Sequence, residues 1–124
     1  MNKVLIVEDE DILAKVLEEK FQDEKFEVAV AGDGELALEL AKSFKPNVII
    51  LDLILPKKDG FDVLRDLKSH PELKQIPVVI LSNLGQDEEL KRGLALGAAD
   101  YLVKTQHPIK EVVEKVKAQL MKGR

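Results

Sequence analysis

The chain has 124 residues, of which 45% are apolar and 34% charged, enough to build one globular domain around its own core. It has no cysteine, and no apolar run approaches the roughly 18 residues that cross a bilayer, which argues against a disulfide framework and a membrane span. A formal net charge of -4 argues against a nucleic-acid backbone as direct ligand, because phosphate binding needs clustered Lys and Arg.

The opening MNKVLIVEDE has neither the long apolar segment nor the cleavage site of a secretory signal, so a cytoplasmic location is expected. Within it, VLIV at 4 to 7 reads as a buried strand ending at Glu8-Asp9. Helical spacing follows, with Ile12, Leu13, Val16, Leu17 and Phe21 predicted to share a face. A second strand, FEVAVA at 26 to 31, leads to Asp33-Gly34, which opens a helix carrying Leu36, Leu40, Ala41 and Phe44; Pro46 closes its exit. A third strand, NVIIL at 47 to 51, runs into Asp52. Asp59-Gly60 then opens a helix with Val63, Leu64 and Leu67 inward. The fourth strand, PVVIL at 77 to 81, ends at Ser82, and the helix after it, around Leu90 and Leu94, has the faintest periodicity before Gly97 stops it. DYLV at 100 to 103 ends at Lys104, and Pro108 suits the first turn of a last helix with Ile109, Val112, Val113, Val116 and Leu120 inward. With no linker, repeat or low-complexity segment, residues 1–124 read as a single domain, and no effector segment follows before the end at Gly123-Arg124.

Strict alternation of strands and helices predicts an α/β fold: a parallel five-stranded sheet with helices on both faces and right-handed crossovers. In the flavodoxin-like strand order 2-1-3-4-5, the first and third strands are neighbours, and ligands bind beyond their carboxyl ends. Glu8, Asp9, Asp52, Ser82 and Lys104 all fall at those ends. An ionised carboxylate among apolar residues is expensive unless paired, neutralised or metal-bound, and three crowded carboxylates raise one another's pKa. A hard divalent cation relieves that crowding. Oxygen donors favour magnesium or manganese over zinc, since cysteine is absent and His70 and His107 lie in connecting segments away from this edge. Such a site suits phosphoryl transfer to Asp52, with Ser82 and Lys104 taking the other oxygens.

Each residue also has a plainer reading. Glu8 to Asp11 complement a helix dipole, Lys104 is a surface lysine, Ser82-Asn83 is a turn, and Asp52 starts a loop. Their convergence on one edge of four strands favours the functional reading.

The strings VLIVEDE (4 to 10), VIILDLILPKKDGFDVL (48 to 64), ILSN (80 to 83) and LGAADYLVK (96 to 104) closely resemble the receiver domain of bacterial two-component response regulators. The resemblance covers essentially the whole chain and includes the chemotaxis regulators. It implies the three-layer (βα)5 fold above and a phosphoacceptor signalling domain that assists its own phosphorylation and dephosphorylation. Asp52 would take the phosphoryl group from a sensor histidine kinase, a phosphotransfer protein or a small phosphodonor. Asp9, Asp52 and the Ile54 backbone carbonyl would ligate magnesium, with manganese as substitute, and Glu8 would act through water. Lys104 and Ser82 would bind the phosphoryl oxygens, and Tyr101 would turn inward as Ser82 moves. The face formed by helix 4, strand 5 and helix 5 would then change its affinity for a downstream effector protein or domain. No direct contact with nucleic acid or membrane is expected of this domain.

Three positions depart from the family pattern. Thr105 stands where proline with a preceding cis bond is usual, so a trans Lys104-Thr105 peptide is expected. Asn83 replaces a smaller residue beside the site, and Ile54 offers no polar group to steer a hydrolytic water, which predicts slow loss of the phosphoryl group. The alternative is a receiver-like binding module that signals without phosphate. A phosphohydrolase of the haloacid dehalogenase type would need a second Asp where Ile54 stands, and a flavin carrier would not place Glu8-Asp9-Glu10 against the flavin phosphate.

Overall fold

A computed structural model describes residues 2–122; Met1, at the head of the leader reading, and the terminal Gly123-Arg124 lie outside the described residues. Each Val/Ile-rich run becomes a strand and each periodic segment a helix. The order is β1 (Lys3–Val7), α1 (Asp11–Asp23), β2 (Glu27–Ala31), α2 (Gly34–Phe44), β3 (Val48–Leu51), α3 (Gly60–Ser69), β4 (Val78–Ser82), α4 (Asp87–Ala95), β5 (Asp100–Val103) and α5 (Ile109–Lys122). The strands form one parallel sheet in the order β2-β1-β3-β4-β5, the flavodoxin-like order predicted.

Continuous apolar strands make sense once both faces are covered. Successive side chains point to opposite faces, so Leu5, Val7, Ile49, Leu51 and Ile80 build a core with Ala37, Ala41, Val63, Leu64 and Leu67 of α2 and α3. Val4, Ile6, Val48, Ile50 and Val79 build the other with Leu17 and Phe21 of α1 and Val112, Val113 and Val116 of α5. Each fully buried aliphatic side chain contributes about 1.5–3 kcal/mol of transfer free energy, which is what closes the sandwich.

Helix starts follow the expected punctuation. The Asp33 carboxylate accepts the Leu36 N–H at 2.8 Å, and the Asp59 carboxylate accepts that of Phe61 at 2.7 Å. Pro108 sits one residue before α5 rather than in its first turn, its carbonyl accepting the Val112 N–H.

Three apolar predictions are corrected. Ile12, 84% exposed, and Val16 face outward; the inward stripe of α1 is Ala14, Leu17 and Phe21, with Leu13 partly covered. In α2, Leu36 is exposed and Ala37 takes the inner position, because Gly34, Ala37 and Ala41 let the helix lie close to the sheet and α3. In α4 the buried residue is Gly93, while Leu94 points out. A Cβ on Gly93 would lie 2.7 Å from the Ile80 Cδ1 and 3.1 Å from the Tyr101 ring. That helix therefore docks through a missing side chain, which hydropathy cannot register.

Candidate functional site

Three of the predicted residues stand one position beyond a strand, and the sheet ladder continues far enough to hold each backbone. Glu8 N–H donates to the Ala31 carbonyl at 3.0 Å, Asp52 N–H to that of Val7 at 2.9 Å, and Lys104 N–H to that of Ser82 at 2.9 Å. The loop after β3 folds tightly against this edge. Gly60 N–H reaches the Leu53 carbonyl at 2.9 Å, and a Cβ on Gly60 would come within 2.4 Å of the Leu53 Cα and 2.6 Å of the Asp52 carbonyl oxygen. Only glycine permits that approach.

The side chains converge as expected for Glu8, Asp52 and Lys104. The Lys104 ammonium donates to Glu8 Oε1 at 2.8 Å, Asp52 Oδ2 at 3.1 Å and Glu10 Oε1 at 3.3 Å. Asp52, 4% exposed, also accepts the Ile54 N–H at 3.2 Å on its other oxygen. Glu8, 3% exposed, accepts the Glu10 N–H at 3.2 Å.

Burial pushes the Glu8 carboxyl up to about 7; the Lys104 hydrogen bond pulls it down and the Asp52 charge adds to the rise. For Lys104, burial favours the neutral amine, but hydrogen bonds and charges from Glu8 and Asp52 outweigh it and raise the pKa. The ammonium thus stays charged while Glu8 bears the crowding. Oxygens of Glu8, Glu10 and Asp52 gather within 4.8 Å of one another. An all-oxygen set of this kind fits a hard divalent cation, which would favour the ionised form of Glu8.

Asp9 is exposed at the rim, and the third member of the carboxylate cluster is Glu10. The sequence pointed to Glu10 as a helix-dipole partner and as an acid unfavourable to a flavin phosphate, but not as a member of this cluster. One signal was available: Glu is a poor N-cap residue, and Glu10, at the N-cap of α1, makes no side-chain cap hydrogen bond, which frees its carboxylate for Lys104. Ile54 turns its side chain to solvent.

Ser82 is fully buried, and its hydroxyl oxygen accepts the Leu84 N–H at 3.4 Å. Tyr101 is already inward, its ring against Gly93 and its hydroxyl donating to the Leu84 carbonyl at 2.6 Å. Burial, with the charges of Glu89 and Asp52, pushes its phenol up to about 12. The two backbone groups of Leu84 thus tie Ser82 to Tyr101. No peptide bond among the described residues is cis, as expected for Lys104-Thr105. Asn83 is exposed beside the site. Both histidines were expected in connecting segments away from this edge: His70 follows α3 as its C-cap, whereas His107 lies in the β5–α5 connection, which leaves the carboxyl end of the sheet, its Nδ1 2.9 Å from Glu111 Oε1. No described helix is long and apolar enough to cross a membrane.

Comparison with known proteins gives a consistent picture. A family model described as "Response regulator receiver domain" matches residues 4–117. The transcriptional regulatory protein SrrA of Staphylococcus aureus is 40% identical over 119 residues, covering 96% of this chain and 48% of SrrA, so the chain spans about half the length of the curated relatives it matches. Among solved structures, the Francisella response regulator 1452 receiver domain superposes with a TM-score of 0.92 at 31% identity over all of both chains. The BeF3-activated receiver domain of Klebsiella pneumoniae RstA gives 0.87 at 31% identity, covering 96% of this chain and 98% of that one. The Mn(2+)-bound form of response regulator Rcp1 gives 0.81 at 30% identity, covering 95% and 91%.

Proposed function

The chain belongs to the response regulator receiver domain family of two-component systems, and on that footing we propose that Asp52 is its phosphoacceptor. One observation carries this reading: a buried carboxylate at the carboxyl end of β3, held by the Lys104 ammonium and the Ile54 N–H. An Asp52 oxygen attacks phosphorus, forming the acyl phosphate while the donor group leaves with its bonding electron pair. Lys104 then binds a phosphoryl oxygen, and Ser82 gives up the Leu84 N–H to donate its hydroxyl to another.

Glu8, Asp9, Asp52 and the Ile54 carbonyl would hold magnesium, or manganese in its place; the gathered oxygens of Glu8, Glu10 and Asp52 support such a site. When bound, the cation offsets the negative charge that builds up as the phosphoryl group arrives. Asp9, exposed at the rim, would have to turn in to join such a site.

Phosphorylation replaces the single charge of the Asp52 carboxylate with a phosphoryl group carrying about 1.5 to 2 negative charges and three acceptor oxygens, which the Ser82 and Lys104 geometry binds better in one conformation than in another. Because Leu84 ties Ser82 to Tyr101, movement of Ser82 changes what the Tyr101 hydroxyl can hold. The signal reaches the α4-β5-α5 face. The partners are a histidine kinase or phosphotransfer protein upstream and an effector protein or domain downstream, in the cytoplasm, with residues 1–124 acting as a single receiver domain.

Incubation with magnesium and acetyl phosphate, followed by intact mass, tests the reading. One phosphoryl adduct is expected, and none on Asp52→Asn. No adduct on the unsubstituted protein, or an undiminished adduct on the variant, leaves the phosphate-independent binding module as the better description.

A further inference from the structure

We propose that Glu10 is a positioning residue that occupies Lys104 until the phosphoryl group arrives; the inference rests on the phosphoacceptor reading above. A lysine ammonium has three N–H donors and no acceptor. At Lys104 three carboxylates take them: Glu8 at 2.8 Å, Asp52 at 3.1 Å and Glu10 at 3.3 Å. An ammonium in this state has no donor left for a phosphoryl oxygen, so one carboxylate must let go.

The three are not equivalent. The side chains of Glu8 and Asp52 are 2% and 5% exposed, and releasing either leaves a buried charge without its cation. Glu10 is 60% exposed and holds the longest of the three contacts, so its release returns a carboxylate to water. Among the described residues its side chain has no ion-pair partner but Lys104, and the α1 N-cap position it occupies makes no side-chain cap hydrogen bond. Glu10 is therefore the group that yields, and it returns when the phosphoryl group is lost. Occupied in this way, Lys104 is shielded from stray anions, and phosphorylation by a small anionic donor is slowed.

The test uses the full chain with magnesium and acetyl phosphate, following the initial rate of adduct formation by intact mass. In that reaction an Asp52 oxygen–phosphorus bond forms, the acyl oxygen–phosphorus bond breaks and acetate leaves with the electron pair; Glu10 transfers no proton. Two variants separate occupancy of Lys104 from simple repulsion. Glu10→Gln removes the charge, whereas Glu10→Asp keeps the charge on a shorter side chain that caps α1 and no longer reaches Lys104.

Compared at magnesium concentrations that saturate each protein, both variants should form adduct roughly three- to fivefold faster, the scale of an exposed ion pair. Beryllium trifluoride, an anionic phosphoryl mimic, should bind both more tightly by a similar factor. Rates at or below that of the unsubstituted protein overturn the proposal, as does acceleration confined to Glu10→Gln. A roughly tenfold loss of magnesium affinity with slower adduct formation also overturns it, because Glu10 would then be a metal ligand. If the unsubstituted protein forms no adduct, the phosphoacceptor reading falls and takes this proposal with it; a normal adduct without acceleration sinks this proposal alone.

Discussion

Raising the pH without divalent metal should destabilise this fold, the reverse of what an ordinary salt-bridged carboxylate does. The cause is Glu8, whose carboxyl is pushed up by burial from 4.5 to about 7, with Lys104 opposing the rise and Asp52 adding to it. Between those two values the folded chain binds more protons than the unfolded chain, so stability falls as pH rises through the window. Below about 4.5 the advantage of the protonated form is fully present, and above about 7 it is gone. A window of about 2.5 units at about 1.4 kcal/mol per unit amounts to roughly 3 kcal/mol, an order-of-magnitude figure. Lys104 does not titrate in this range, since its pKa is raised above the ordinary lysine value. Glu24 and Asp33 do not mask the effect: the Lys117 hydrogen bond and the Leu36 N–H respectively hold them below the usual carboxylate range. Urea unfolding followed by far-ultraviolet circular dichroism in EDTA should show the loss as pH rises from 4.5 to about 7. Glu8→Gln should remove most of the slope, and millimolar magnesium should restore stability at the alkaline end by binding the ionised folded site. A flat or rising profile in EDTA, or an unchanged slope in Glu8→Gln, would refute the reasoning.

The remaining predictions concern single side chains. Ile54 is 56% exposed, so Ile54→Asn leaves packing intact and adds a polar group beside the site; loss of the phosphoryl group should quicken roughly five- to tenfold through better orientation of the attacking water. Equal or slower loss in the variant counts against the role given to this position. Gly93→Ala forces a Cβ to within 2.7 Å of Ile80 and 3.1 Å of Tyr101, and a loss of about 1–3 kcal/mol is expected in thermal unfolding; a neutral result would show that α4 is not docked through this contact. Lys45 ends α2 with φ of 55°, so Lys45→Gly should raise stability by about 0.5–1 kcal/mol, and a lower melting temperature would contradict the strain assigned there.

The sheet was legible because a strand covered on both faces has no choice but an unbroken Val/Ile run, as at Val48–Leu51, where all four residues are buried. Helix faces were less legible. In α1, Ile12 and Val16 form a second apolar stripe beside Leu13, Leu17 and Phe21, and only the packing against β1 and α5 decides which stripe turns in. In α2 and α4 the closest contacts use Ala37, Ala41 and Gly93, residues whose value is their small size. Among site residues, Glu8, Asp52, Ser82 and Lys104 were readable because each sits at or just past a strand end. Glu10 was not, since its partner lies 94 positions away and a run of acids at a helix start already has a local explanation.

Borohydride reduction of the protein after magnesium and acetyl phosphate treatment tests the central claim most directly, because it converts an aspartyl phosphate to homoserine and fixes the site covalently. Peptide mass analysis should find homoserine at residue 52 and at no other aspartate. Homoserine at Asp9 or Asp11 in its place, or an unreduced aspartate at residue 52 in protein that carried the adduct, would contradict it.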